Sequence, residues 1–484
     1  MISLYREART ADTRSMVLFW RLGAGLGVVL VLVLPGFVSF ERAPVAPALR
    51  GPSIVLITVD TLRADHLGSY GLGVAASPHI DRLAAGAVLF ERAIAGSSAT
   101  APSHAAILTS RYSREHSIGF RNGDTRLEGV PTLASVLQGA GYATAAFVSN
   151  VVLRRGRGFE TGFDVFDDEF PAREANRAME ERIATQTTAA ALAWLAARGE
   201  EPFFLWVHYQ DPHGPYAPPP EFRGRFHLGG RTARGPLPVL ADNTGIGGIP
   251  AYQVLGDLRA PGVYQDRYVD EISYADESVG RLIDAADRAA GTRGAVVLLT
   301  ADHGESFGED DQYFVHRVTT PDIAHVPMIL RAPGLAPRRF GDLVHHVDVL
   351  PTLLELAGVA APAAVSGLAL GPALRGGAPL PERVVFTDIG AEVSAYQATG
   401  FVRIRGVEAA WQRRADAPRA LAPSGTRYAW DGRHAWTALG EQAVFPAEID
   451  RYVRSAVPMR AAAAPSDQDI ARLQALGYLE AANL

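Results

Sequence analysis

The sequence predicts an α/β fold: a large, mostly parallel sheet sandwiched by helices, with a smaller C-terminal α+β domain after it and an N-terminal transmembrane helix before it. Three observations carry this expectation. Beyond residue 52, short apolar runs alternate with amphipathic stretches, the pattern of a buried parallel sheet with helical crossovers. Three of those runs, at 53–59, 203–207 and 295–300, lead directly into Asp or His. Residues 22–40 carry no charge, which matches the roughly 20 residues needed to cross a bilayer.

Taken in chain order, the apolar segment comes first. Arg6, Arg9, Arg14 and Arg21 precede it against Glu7 and Asp12, so the positive-inside tendency keeps residues 1–21 cytoplasmic and sends the remainder outward. A cleaved secretory signal is the competing reading. Its apolar core is usually only ~7–15 residues, which favours a retained single-pass anchor with the catalytic domain periplasmic or at the cell surface. Residues 41–52, with Pro44, Pro47 and Pro52, read as a short stiff linker.

Composition narrows the function. At 484 residues and 48% hydrophobic the chain can build a substantial core. Its net charge of −6, with all 46 cationic side chains Arg, lacks the basic excess of a nucleic-acid binder. There is no cysteine, which excludes disulfides, thiolate metal sites and a sulfur nucleophile.

The three apolar runs end in chemistry: Asp60 after the first, His208, Asp211 and His213 after the second, Asp302 and His303 after the third. Ligands of open α/β sheets bind beyond the carboxyl ends of the strands. One such Asp is ordinarily a cap or turn residue, but three ends, two of them with His, point to a metal or catalytic centre. In Thr100-Ala-Pro-Ser103-His104, Pro102 suits the first turn of a helix and leaves Thr100 at its N-terminus. There the exposed N–H groups favour an alkoxide and a bound anion. The competing reading is that Thr100 or Ser103 merely caps the helix.

The blocks Ile54–Gly68, Ser77-Pro-His-Ile-Asp81, Thr100–Tyr112, Asp211-Pro-His213-Gly-Pro-Tyr216, Thr300-Ala-Asp302-His303-Gly-Glu305 and His346-Val-Asp348 through Gly358 resemble, in order and spacing, those of the sulfatases. The resemblance covers about residues 53–375. It implies the alkaline-phosphatase-like superfamily, with a large α/β domain and a smaller domain built on an antiparallel sheet. It also implies that Asp60, Asp302 and His303 bind metal and that Thr100 is the nucleophile and a further ligand. His213 matches a substrate-side histidine, and His316 falls near a lysine that contacts the ester. Either is expected to protonate the departing alkoxide, because imidazole titrates near neutral pH.

The departures from the family pattern redirect the substrate. Sulfatases convert Cys or Ser at the nucleophile position to formylglycine, and none is expected at Thr100. His104 stands where an Arg is usual, and Thr61 replaces the second Asp of a pair. The expected Lys–His pair is replaced by a stretch ending in Asn150, and His303 replaces Asn. His104, Asn150 and Arg317 are the expected substrate contacts. The exchange of oxygen for nitrogen at His303 moves the expected divalent ion from Ca²⁺ toward Mn²⁺ or Zn²⁺. A second metal site could draw on Asp211, His213, His325 and His346, but their spacing does not fix one, and a single ion is expected.

These features give a membrane-anchored, metal-dependent hydrolase that cleaves a phosphate mono- or diester, or a sulfate ester, of a small molecule, lipid or glycan. Two other readings compete: a transferase of phosphoethanolamine or phosphoglycerol headgroups, and a catalytically silent anchored binding protein. The catalytic domain spans 53–375 and the smaller domain 376–484. Within them, 172–198 and 266–290 read as helices and 229–262 as a surface insertion. Residues 384–387 and 401–405 read as strands, and 467–478 as an amphipathic tail helix.

Overall fold

Ser53–Val59 (β1) is a mostly apolar strand in which every residue is buried, and the main sheet is built around it. The computed structural model describes residues 51–116, 118–119, 126–173, 180–228, 235–390, 392–405, 424–432, 435–442 and 446–454. The expected anchor at 22–40, residues 1–21, the linker up to residue 50 and the tail helix at 467–478 lie outside the described residues. Among the described residues no helix is long and apolar enough to cross a membrane.

The strands that follow are β2 (Val88–Ile94), β3 (Ala143–Phe147), β4 (Val165–Asp167), β5 (Ala172–Arg173), β6 (Glu180–Glu181), β7 (Phe203–Tyr209), β8 (Ala295–Ala301), β9 (His325–Arg331) and β10 (Arg338–His345). Eight of these ten strands form one sheet in the order β10-β2-β9-β8-β1-β7-β3-β4. Only β9 runs against its neighbours β2 and β8, so the sheet is mostly parallel, as expected. Its central strands are largely apolar, as expected of a parallel sheet covered on both faces. Each large apolar side chain buried there contributes about 1.5–3 kcal/mol.

A separate, wholly antiparallel sheet follows in the order β11-β12-β13-β14-β15. These strands are β11 (Val385–Asp388), β12 (Glu392–Gln397), β13 (Gly400–Arg405), β14 (Ser424–Trp430) and β15 (Trp436–Gln442). The expected runs at 384–387 and 401–405 fall on β11 and β13. Arg114, just after the Thr100 helix, reaches across to Asp388 of β11 with Nε 2.7 Å from Oδ2, and both side chains are buried.

Two helix expectations need correction. Residues 172–198 are not one helix: β5 and β6 pair as a small antiparallel ladder, and the helix covers only Ala184–Ala197. Tertiary contacts override local propensity here, because Arg182 is drawn onto Asp167 at 2.8 Å. The first N–H of the helix, that of Ala184, donates to Asp211 Oδ2 at 2.8 Å. The helix expected at 266–290 begins earlier and spans Pro261–Ala290, since proline is well suited to a first helical position.

The supposed insertion is only partly superficial. Residues 229–234 lie outside the described residues, but Ile249 and Gln253 are fully buried. Tyr252 Oη and Gln253 Nε2 both donate to the Phe314 carbonyl at 3.1 Å. The segment therefore braces the loop that carries His316.

Candidate active site

Register creates the site. Thr58 of β1 lies beside His208 of β7 and Thr300 of β8, so these side chains share one face of the sheet. Two residues further on, Asp60 and Asp302 leave the same end of the sheet side by side. Both are fully buried, as are His303, His208 and Thr100.

Each carboxylate uses one oxygen on the protein and presents the other. Asp60 Oδ2 accepts from Asn150 Nδ2 at 2.9 Å. Asp302 Oδ1 accepts from the Thr61 and His303 amides at 3.2 and 2.8 Å. Asp60 Oδ1, Asp302 Oδ2 and His303 Nε2 are buried and, among the described residues, without hydrogen-bond partners. These three residues offer ligand atoms within 4.8 Å of one another. His303 Nε2 is 3.5 Å from Asp302 Oδ2 and 3.9 Å from Asp60 Oδ1. Two donors bound to one ion at about 2.0–2.2 Å can be no more than ~4.4 Å apart, and both separations meet that limit.

The electrostatics point the same way. Burial, then the neighbouring Asp302, holds the Asp60 carboxyl well above its usual range. Burial pushes Asp302 up to about 7 and His303 down to about 4. Two buried carboxyls beside a neutral imidazole are a costly arrangement that a divalent cation would relieve.

Thr100 is the first residue of the helix Thr100–Thr109, behind Ala99 as N-cap. Its hydroxyl does not cap the helix; it hydrogen-bonds the Asp302 side chain. Ser103 Oγ donates to the Asp302 carbonyl at 2.6 Å, which ties the first helical turn to the end of β8.

His316 and His213 complete the group. His316 Nδ1 donates to the Ser98 carbonyl at 2.8 Å, on the loop leading to Thr100. The His316 ring stacks on His303 and meets the edge of His213 at 5.7 Å. His213 Nδ1 donates to the Gly214 carbonyl at 2.8 Å. It lines a cavity of about 480 Å³ together with Gln210, Asp211, Tyr216, Arg223 and Glu271.

Residues 52–359 match the family model described as Sulfatase. The chain belongs to the sulfatase family. It is 28% identical over 365 residues to the Delta 4,5-hexuronate-2-O-sulfatase of Bacteroides thetaiotaomicron, covering 68% of this chain and 73% of that protein. It is also 28% identical over 428 residues to human iduronate 2-sulfatase, covering 71% of this chain and 76% of that one. The fold resembles that of the phosphonate monoester hydrolase of Silicibacter pomeroyi, with a TM-score of 0.60 at 22% identity over 79% of this chain and 90% of that chain. This sulfatase-family chain is an ester hydrolase with an alkaline-phosphatase-like architecture. Enzymes of the family use metal ions, and the buried Asp and His groups here could hold one.

Several expected residues sit differently from the sequence reading. In this family member His104 lies beneath the helix: Nδ1 donates to the Thr100 carbonyl at 2.8 Å and Nε2 meets Thr58 Oγ1 at 3.0 Å. Burial holds its pKa at about 3, so it is a neutral strut whose two ring nitrogens are both engaged by protein. Asn150 is spent on Asp60 and on the Val152 amide. Arg317 is partly exposed beside His316. Contrary to the expectation of a ring titrating near neutrality, burial and then His303 push the His316 pKa well down.

Among the described residues, Asp211, His213, His325 and His346 form no common ligand group. His325 Nε2 donates to the Glu91 carbonyl at 2.8 Å, while His346 Nδ1 sits 3.0 Å from Ser103 Oγ. Residues given no role from sequence do converge on the centre. Glu305 accepts from Tyr216 Oη at 3.1 Å, leaves Oε1 without a partner among the described residues, and is raised to about 8 by burial. Gly304 makes this placement possible, since a Cβ there would lie 2.2 Å from the Asp322 carbonyl oxygen. Thr61 adopts φ 55°, unusual for a β-branched residue, and its buried hydroxyl is unpartnered among the described residues.

Proposed function

We propose that this sulfatase-family hydrolase cleaves a phosphate mono- or diester, or a sulfate ester, with the Thr100 hydroxyl as nucleophile at a divalent-ion site formed by Asp60, Asp302 and His303. The carrying observation is the Thr100 hydroxyl on the Asp302 side chain at a helix N-terminus, beside three buried ligand atoms that have no hydrogen-bond partner among the described residues.

A bound divalent ion would lower the pKa of the hydroxyl and neutralise non-bridging oxygens of the ester. The residues do the rest. The oriented N–H groups of the Thr100 helix favour the anionic group. Thr100 gives its hydroxyl proton to solvent water, its Oγ bonds to phosphorus as the bond to the alcohol oxygen breaks, and the alcohol departs with a proton from the protonated His213 ring, which solvent then reprotonates. Neutral His316, with Nδ1 committed as donor to a carbonyl, has Nε2 as its basic nitrogen and takes the proton of the incoming water. That water releases phosphate, or a monoester, from phosphothreonine, and Thr100 Oγ recovers a proton from the His316 imidazolium, which restores both residues. The cavity beside His213 receives the alcohol portion.

Threonine favours phosphate over sulfate here. It cannot form the formylglycine of sulfatase chemistry, and a sulfated Thr is hard to hydrolyse directly, whereas a phosphorylated Thr at a metal site is a workable intermediate. The uncharged segment at 22–40 supports a single-pass tether with the hydrolase outside the cytoplasm; release of the protein from membranes by alkaline carbonate would refute it. The decisive assay is turnover of aryl phosphate, bis-aryl phosphate, phosphonate and aryl sulfate esters with Mn²⁺, Zn²⁺ or Ca²⁺. Turnover of phosphorus esters, abolished in Thr100→Ala, is expected. Failure of every ester under every ion, or full activity in Thr100→Ala, sinks the reading.

A further inference from the structure

His208 is fully buried, and both of its ring nitrogens lack hydrogen-bond partners among the described residues. A buried polar group with no partner is costly, and native structures seldom keep one without a water, an ion or a chemical task. The immediate neighbours supply no bond: the His104 ring lies 4.8 Å away, centroid to centroid, with both of its own nitrogens already engaged.

Strand register fixes where His208 sits. It pairs with Thr58 across the β1–β7 ladder, one row below Asp60 on the same face of the sheet. Its Nε2 comes to 3.7 Å from Asp60 Oδ2. It also offers a ring nitrogen within 4.8 Å of a carboxylate oxygen of Asp302, in a group with His104. Of that pair of histidines only His208 has a nitrogen to give. The 3.7 Å separation is to Asp60 Oδ2, which keeps a lone pair beside the bond it accepts from Asn150, and it is below the ~4.4 Å ceiling for two donors on one ion.

We propose that His208 supplies a second imidazole ligand to the divalent ion held by Asp60, Asp302 and His303. Two carboxylates and two imidazoles form a donor set suited to Mn²⁺ or Zn²⁺ rather than Ca²⁺. Burial keeps His208 neutral, the form in which imidazole binds metal. The inference rests on the metal-site reading above and extends it to a residue that reading does not use.

Pulsed EPR of the Mn²⁺-loaded full chain tests it, because directly bound imidazole nitrogens give resolved ¹⁴N couplings whatever the activity. Two coupled imidazoles are expected in the wild type and one in His208→Gln, with Mn²⁺ affinity about 10–100-fold weaker in the variant. Counting nitrogens in the wild type needs no variant to fold. A single coupled imidazole there, or an unchanged count and affinity in a folded His208→Gln, overturns the proposal while leaving the metal site standing. A wild-type chain that binds neither Mn²⁺ nor Zn²⁺ overturns the metal-site reading itself.

Discussion

The rings of His303 and His316 stack with centroids 4.2 Å apart and planes 23° from parallel. The imidazoles of His303 and His316 therefore share one column, with His213 set edge-on against His316 at 66°. On the proposed mechanism this order divides the proton work. His316 is held neutral deep in the site, and His213 lines the cavity proposed to receive the alcohol.

That division predicts a leaving-group signature. General acid catalysis contributes about 10²–10⁴-fold, most where the departing alkoxide is basic. His213→Gln is expected to lose activity in that range on alkyl esters and about tenfold or less on 4-nitrophenyl esters. The check is the slope of log kcat/KM against leaving-group pKa, which should steepen in the variant. An equal loss for every leaving group would assign His213 to binding instead.

The Thr100 position predicts a sharp contrast between two small substitutions. Thr100→Ser keeps the hydroxyl at the helix N-terminus and is expected to retain measurable turnover. Thr100→Ala removes the attacking atom and is expected to lose at least about 10³-fold in kcat. Trapping labelled phosphate on the wild type and the Ser variant, with none on Ala, would identify the residue that carries it.

How much of this could be read from the chain depends on the kind of signal. The parallel sheet was legible because β1, β7 and β8 are mostly apolar runs, and the buried cluster of Asp60, Asp302 and His303 because these residues follow two of them. His208 was visible as a residue but not as a neighbour of Asp60, since only the pairing of Thr58 with His208 brings those strands together. The helix expected at 172–198 failed where Arg182 answers to Asp167, a contact that no local periodicity encodes. His104 stood at a motif position that suggested substrate, and only its bond to Thr58 places it beneath the helix.

The Asp211–Glu271 pair predicts a pH-dependent stability. Asp211 is raised to about 6 by burial. Glu271, hydrogen-bonded to it, lies well above its usual value through burial and then the charge of Asp211. Unfolded carboxyls titrate near 3.9–4.3, so the folded state holds more protons than the unfolded one above that range. Their contribution is fully present below about pH 4 and is lost as pH rises through about 6. Between pH 5.5 and 8, Tm should therefore fall, on the order of 2–4 °C per kcal/mol lost or somewhat less in a chain this long. Glu271→Gln keeps the hydrogen bond and should flatten that slope; a slope as steep as wild type would clear the pair of responsibility.

Thr61 offers a final test, because its hydroxyl is buried next to Asp60 without a hydrogen-bond partner among the described residues, on a residue held at φ 55°. Asp tolerates that backbone region better than a β-branched residue, so Thr61→Asp relieves strain while adding a third carboxyl to a site where burial already raises two. The added charge should dominate and lower the Tm of the metal-free protein. It should also harden the donor set and turn its preference toward Ca²⁺, which favours carboxylate oxygens. The expected result is a larger rise in Tm with millimolar Ca²⁺ for the variant than for wild type, with the Mn²⁺ response kept. If Ca²⁺ stabilises both proteins equally, the Thr61 side chain does not face the ion, and its strained backbone serves only to bring the Thr61 amide to Asp302.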